Sequence, residues 1–394
     1  MKKKILALAI SICFALSACG DAETAATETA TSVAVDEQTA GQETAAETET
    51  TAAVETEENS AGAETAASGS AVAASETNEG EGTVETKNDG AVSALHVDGT
   101  KLLNAEGQAV RLQGISTLGL AWFPQYVTEE TFKSFRDDWG INCIRLAMYT
   151  QEDGGYCVSD NAKKAELIER IDTGVQAAVD LGLYVIIDWH ILSDGNPQTH
   201  QDEALFFFDE MSKKYAAVPN VLYEICNEPN NSSWSGQIKP YAEAVIPVIR
   251  KNSPDSVIIV GTNTWSQDVD EVIGNTLNFP NVMYALHFYA ATHKDDLRKK
   301  AKKALDAGIP IFVSECSICD ASGNGGLNID SANAWRKLID ENGLSFMEWS
   351  LSNKAESSAI LQPSCTKISG FTEEDYTDSA KFYRTWMREN SGKD

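Results

Sequence analysis

A chain of 394 residues with a formal net charge of −28 is too acidic to be a partner for nucleic acid or another anionic polymer. Composition divides it into a short leader, a low-complexity tract and one block of about 300 residues, and only the last can bury a core. The spacing of its eight cysteines sets up no disulfide framework.

Residues 1–19 start with Lys2, Lys3 and Lys4 and continue through an apolar stretch, Ile5 to Leu16, that is too short to cross a bilayer as a helix. They end in Leu16-Ser17-Ala18-Cys19. This is the pattern of a secretory signal, and its ending resembles the bacterial lipobox, in which the signal is cut before a cysteine that receives lipid. Cys19 is therefore expected to become an acylated N-terminus that holds the protein on the outer face of a bacterial cell membrane. The alternative is a plain signal cut at a small residue. Residues 20–92 are almost entirely Ala, Thr, Glu, Ser and Gly, with 17 acidic side chains against one lysine. Such a tract cannot bury enough surface to fold and reads as a self-repelling, extended tether. The block at 93–394 keeps about −15 of the formal charge, which favours a neutral ligand.

That block opens with two turn signals, Asp98-Gly99 and Glu106-Gly107, so a small hairpin is predicted over Leu95 to Leu112, leading into the first core strand. Apolar runs and helix-like stretches then alternate. Strands are expected at Val110 to Ile115, Cys143 to Met148, Tyr184 to Asp188, Val221 to Cys226, Val257 to Val260, Val282 to His287, Ile311 to Ser314 and Ser345 to Trp349. Helices are expected at Thr128 to Trp139, Ala162 to Leu181, Glu203 to Tyr215, Tyr241 to Arg250, Asp295 to Ala307, Ser331 to Glu341 and Ser379 to Arg388, with a weak one near Asp268 to Ile273. Gly140, Gly182, Gly308 and Gly343 stand at helix ends, each just before the next strand. The pattern predicts an α/β fold, a (β/α)8 TIM barrel with a small N-terminal β-hairpin. The competing architecture is an open doubly wound sheet with its ligand at one switch point.

Where the strands stop, the sequence turns polar and aromatic: Ser116 and Thr117, Arg145 and Tyr149, Asp188 to His190, Asn227 and Glu228, Asn263 and Trp265, His287 and Tyr289, Glu315, and Trp349. So many polar groups on one rim cost stability unless they bond one another or a ligand, which marks a functional face. Glu228 and Glu315 each close an apolar run. Paired rim glutamates suit cleavage of a glycosidic bond, which needs a protonated acid and an ionised carboxylate. Arg145 is expected to keep Glu315 ionised, Asn227 to bond a sugar hydroxyl, and His287 and Tyr289 to orient the glutamates. Trp122, Trp265 and Trp349 offer flat faces for pyranose rings, although a lone rim tryptophan is more often packing. Asp188-x-His190 with His287 suggests a metal set, but no H-x-H or H-E-x-x-H spacing accompanies it, so no metal or other cofactor is expected. Cys143 and Cys226 lie in apolar runs as buried thiols. Cys316-x-x-Cys319 lacks the second pair a zinc site needs and leaves a local disulfide open.

Seven segments, in order, carry a resemblance to glycoside hydrolase family 5, and closely to its bacterial endo-β-1,4-glucanase branch. They are Gln113 to Thr117, Asn142 to Tyr149, Tyr184 to His190, Tyr223 to Pro229, Ala285 to Tyr289, Phe312 to Glu315 and Trp349 to Lys354. The resemblance spans about Leu95 to Trp386. It implies that Glu228 is the acid/base and Glu315 the nucleophile of a double displacement that retains the anomeric configuration. Arg145, His190, Asn227, His287, Tyr289 and Trp349 fall around the cleavage point, and Trp122, Tyr149, Trp265 and Lys354 on glycan-binding positions. Two departures stand out: Leu118 replaces a usual histidine, and Cys316-Ser317 replaces Trp-Gly after the nucleophile. The resemblance implies hydrolysis of cellulose, cellodextrins or mixed-linkage β-glucan by a monomer. The alternatives are a β-mannanase or xyloglucanase of the same fold, or a lipid-anchored glycan-binding protein that cuts nothing.

Overall fold

The computed structural model describes residues 92–393. The leader, Cys19 and the tether apart from Val92 lie outside the described residues.

The hairpin is present, with β1 (His96–Asp98) antiparallel to β2 (Lys101–Leu103) and Gly99 turning between them at φ 56°. Eight strands follow: β3 (Gln113–Thr117), β4 (Cys143–Tyr149), β5 (Tyr184–His190), β6 (Val221–Glu224), β7 (Ile258–Val260), β8 (Val282–Tyr289), β9 (Ile311–Ser317) and β10 (Phe346–Leu351). Each pairs in parallel with its neighbours and β10 closes onto β3, so the sheet is a barrel and not the open alternative. Helices Glu129–Trp139, Asn161–Asp180, Gln201–Lys214, Lys239–Asn252, Asp295–Asp306 and Ile329–Asn342 lie between strands, and Asp378–Ser391 follows β10. Thr128 and Thr377 cap two of them by accepting backbone N–H bonds, and Gly140 ends the first at φ 74°, where a side chain would be strained. The weak helix expected near Asp268 is only a 3₁₀ turn, Val269–Val272, since so short a stretch cannot repay helix nucleation.

Side chains alternate across the barrel wall. On β4, Ile144, Leu146 and Met148 join the apolar layer shared with the helices, while Cys143 belongs to an inner cluster with Tyr184, Ile186, Leu222, Ile259, Met283 and Phe312. Leu95, Leu102 and Leu112 join that inner cluster, so the hairpin plugs the end of the barrel where the strands begin. Above this apolar floor the inward positions turn polar: Arg145 on β4, Asp188 on β5 and Glu224 on β6 are all fully buried.

The pairing of β8 with β9 slips by one residue. Ala285 faces Phe312, yet His287 faces Glu315, so β9 holds one residue more than its partner over this stretch. A bulge of this kind re-aims a side chain. It lets both Ser314 and Glu315 contact groups inside the barrel, where strict alternation from Phe312 would turn Glu315 outward.

Candidate active site

Arg145 is the hub of the buried polar layer. Its Nε donates to Glu224 Oε2 at 2.7 Å, its Nη2 reaches Asp188 Oδ2 at 3.0 Å and Asn227 Oδ1 at 2.6 Å, and its Nη1 lies 3.4 Å from Glu315 Oε2. Burial raises the cost of ionising Glu224, but Arg145 and His287 outweigh it and hold this carboxyl at about 2. Burial dominates at Asp188 and pushes it well above the usual carboxylate range despite Arg145, and its Oδ1 is buried without a partner among the described residues.

A second chain of bonds runs to the rim. The Ser314 hydroxyl donates to Glu224 Oε1 at 2.6 Å and accepts from His287 Nε2 at 2.9 Å; His287 Nδ1 lies 2.9 Å from Glu228 Oε1. Burial alone would lower His287, but Glu224 3.8 Å away, the bond to Glu228 and the charge of Glu315 hold it up at about 9, so it is a cation at neutral pH. The Tyr289 hydroxyl donates to Glu315 Oε1 at 2.6 Å. Burial, then the charge of Glu315, raises Tyr289 far above its ordinary value, which preserves it as a donor. His190 is neutral, pushed down to about 3 by burial and then by Arg145; its Nδ1 bonds Asp188 at 2.6 Å and its ring stacks on Trp349 at 5.1 Å.

Glu228 and Glu315 face each other. One oxygen of each, with one nitrogen of His287, lies within 4.8 Å of the other two. Burial, then Glu228, pushes Glu315 above the usual range. Arg145 lowers Glu315 in the expected sense, but the guanidinium is shared with Asp188 and Glu224 at shorter distances and offsets burial only in part. Among the described residues these three side chains also form the one set spaced to hold a metal ion. Its donors are already committed, however: Glu315 to Tyr289 and Arg145, and a cationic His287 to Glu228 and Ser314. A cation there would also meet two resident positive charges, so the donor set does not fit a metal.

The pair lies in a cleft of about 490 Å³ that Trp122, Tyr149, His190, Trp265, His287, Tyr289, Trp349 and Lys354 also line. Trp122 and Trp265 are 39% and 43% exposed, so both rings are open for stacking. Trp265 sits in a run of three left-handed residues, Thr264 to Ser266 at φ 54° to 57°, each costing about 1 kcal/mol in a non-glycine residue. The run is held because Trp265 N–H donates to Pro229 O at 3.0 Å and the Ser266 hydroxyl to Asn227 O at 2.6 Å. Asn227, expected to meet a sugar, is fully buried, and its amide is engaged by Arg145, His190 and the Ile191 carbonyl. Leu118 forms an apolar wall with Ala147, Cys319 and Trp349. The six described cysteines are free, so Cys316 and Cys319 form no disulfide.

Sequence reasoning missed Gln267, His293 and Glu356 in the cleft wall, and Glu224 and Ser314 beneath it. Glu224 had a signal: a charge inside the apolar run Val221 to Cys226 is affordable only when paired. His293 and Gln267 stand beyond the strand ends, where alternation carries no information.

Comparison with known proteins gives a match between residues 103–355 and the family model described as cellulase, glycosyl hydrolase family 5. Over 287 residues the chain is 50% identical to Endoglucanase A of Evansella cellulosilytica, covering 72% of this chain and 58% of that protein. It is 48% identical to Endoglucanase A of Butyrivibrio fibrisolvens, covering 73% and 66%. The chain thus spans under two thirds of the length of these curated relatives. A solved complex of cellotetraose with a variant of the Thermobifida fusca endoglucanase catalytic domain is similar at a TM-score of 0.70 and 37% identity, over 75% of this chain and 97% of that one.

Proposed function

Because this chain belongs to the cellulase family of glycosyl hydrolases, family 5, we propose that it is a retaining endo-β-1,4-glucanase acting on cellulose, cellodextrins or mixed-linkage β-glucan. The observation that carries the proposal is the approach of Glu228 to Glu315, whose nearest oxygens lie within 4.8 Å. Retention needs carboxyl groups roughly 5 Å apart, whereas inversion needs about 6.5 to 9.5 Å to admit a water.

Glu315 has donors on both oxygens, Tyr289 and Arg145, and is set up to attack the anomeric carbon as a carboxylate. Glu228 is held by His287 through one oxygen and keeps the other without a partner among the described residues, so it can protonate the departing oxygen. The same group then removes a proton from the water that frees the sugar. Exposed tryptophans after β3 and β7, on opposite sides of the barrel, suit a chain that passes through the cleft and is cut internally.

Lipid attachment at Cys19 belongs to the same proposal and is supported by Leu16-Ser17-Ala18-Cys19. A tether of some seventy residues would then let the barrel work away from the outer face of the cell membrane. Reducing-sugar release from carboxymethyl cellulose, β-glucan, xylan and mannan tests the activity. Dominant release from xylan or mannan would refute the glucanase assignment. Incorporation of labelled fatty acid that persists in Cys19→Ser would refute the anchor.

A further inference from the structure

His293 lines the cleft but takes no part in the chemistry above. Its Nδ1 faces the backbone N–H of Tyr289 at 2.9 Å. A backbone N–H can only donate, so Nδ1 must accept, and the proton of the neutral ring is confined to Nε2. Burial, then the neighbouring positive His287, pushes His293 below its ordinary value and keeps it in that neutral form. The residue is also fixed in place: its N–H donates to Tyr289 O at 2.8 Å and its carbonyl accepts from Trp335 Nε1 at 2.7 Å. Nε2 has no partner among the described residues. The result is a rigid donor of known tautomer with nothing to donate to.

The ring order says which sugar it would meet. Glu228 follows β6, Trp265 and Gln267 follow β7, and His293 follows β8, so the three loops are successive around the rim. The Trp265 loop is also bonded to the segment that carries Glu228, through Pro229 and Asn227. An acid must stand beside the oxygen it protonates, so this arc of the cleft holds the departing part of the substrate. Trp122 and Lys354 lie across the barrel, in the loops after β3 and β10.

We infer that His293 Nε2–H is a fixed hydrogen-bond donor to the sugar on the leaving side of the scissile bond, beside the Trp265 ring and the Gln267 amide. The inference rests on the proposed glucanase reading and assigns the leaving-side specificity of that same site.

Two substitutions separate binding from support. In His293→Asn the short amide oxygen can still accept from Tyr289 N–H, but nothing reaches the cleft. In His293→Gln the longer amide places an N–H near the Nε2 position and gives up the Tyr289 bond. The readout is the ratio of kcat/KM on cellotetraose to kcat/KM on 4-nitrophenyl β-cellobioside, whose leaving group is not a sugar. Losing one neutral hydrogen bond to the leaving sugar should lower this ratio about three- to tenfold in His293→Asn, and His293→Gln should hold it within about twofold of wild type. Thermal melts confirm that both variants fold. An unchanged ratio in His293→Asn, or a fall in His293→Gln alone, overturns the inference and leaves the hydrolase reading standing. A wild type that cleaves neither substrate overturns both.

Discussion

Replacing Glu224 with glutamine is the sharpest test of the buried network. Glutamine has the shape of the protonated acid, so the variant isolates what the charge contributes. Glu224 sits at about 2 in the folded chain against an ordinary 4.5, a depression worth roughly 3 kcal/mol. An independent estimate, from the general cost of breaking a buried ion pair, is about 3 to 5 kcal/mol. For a domain this size, with about 2 °C of melting temperature per kcal/mol, Glu224→Gln should melt roughly 6 to 10 °C below wild type at pH 7. The pH dependence follows from a folded value that is depressed. The stabilisation is fully present above the unfolded value of 4.5 and is lost as pH falls through about 2. The gap between variant and parent should therefore stay constant from pH 8 to 5 and shrink to about 1 kcal/mol by pH 3. Differential scanning calorimetry of both proteins across that range is the assay. A gap at pH 7 under about 2 °C, or one that fails to narrow on acidification, would refute the claim that Glu224 is an ionised partner of Arg145.

Glu228→Gln and Glu315→Gln should each lower turnover on β-glucan by about three orders of magnitude or more with melting temperature unchanged, and azide should partly restore turnover to Glu315→Ala. Near-normal initial rates in either glutamine variant would end the assignment. With His287 raised to about 9, kcat/KM should fall on the alkaline side as that proton leaves, and His287→Asn should remove this limb from the pH profile. A profile identical to wild type would show that His287 is not the group titrating. Glu348 is fully buried, neither of its carboxyl oxygens has a partner among the described residues, and burial pushes it far above the usual range. Glu348→Met should raise stability by about 1 to 3 kcal/mol, read as a higher melting temperature. A raised acid loses stability as pH climbs above its unfolded value, so the advantage should grow from pH 5 to 8, and a constant difference would refute it.

The barrel was legible because its signal is repeated: eight apolar runs, helix-like stretches between them and glycine stops at four helix ends, with Tyr184 to His190 and Val282 to Tyr289 apolar until the last few residues. The facing glutamates were legible as a pair because both close such runs. What alternation could not supply was Glu315's inward aim, which depends on an extra residue in β9 set by pairing with β8. The Trp265 loop was opaque for a related reason. Three left-handed residues in Thr264-Trp265-Ser266 contradict local preference and are held in part by bonds to Asn227 and Pro229, from a segment more than thirty residues earlier. Arg145 was placed correctly beside Glu315, but the sequence could not show that Glu224 and Asp188 compete for it.

That competition fixes the charge of the whole centre. Two cations, Arg145 and His287, are enclosed with four carboxyl groups, those of Asp188, Glu224, Glu228 and Glu315. Burial disfavours net charge, so carboxyls that the buried donors do not reach are pushed toward the protonated form. Glu224 is excluded, because it takes the shortest contact to Arg145 and a hydroxyl donor from Ser314 as well. Asp188 is pushed well up and has an orphan Oδ1, which suits a bound proton. At the rim, burial and then the facing Glu228 push Glu315 upward as well. Tyr289 donates to Glu315 and Arg145 faces its other oxygen, whereas Glu228 bonds His287 through one oxygen and keeps the other without a partner among the described residues. Two carboxyl groups of identical chemistry are thus distinguished by which of them the buried donors reach, and that asymmetry is what a retaining glycosidase requires.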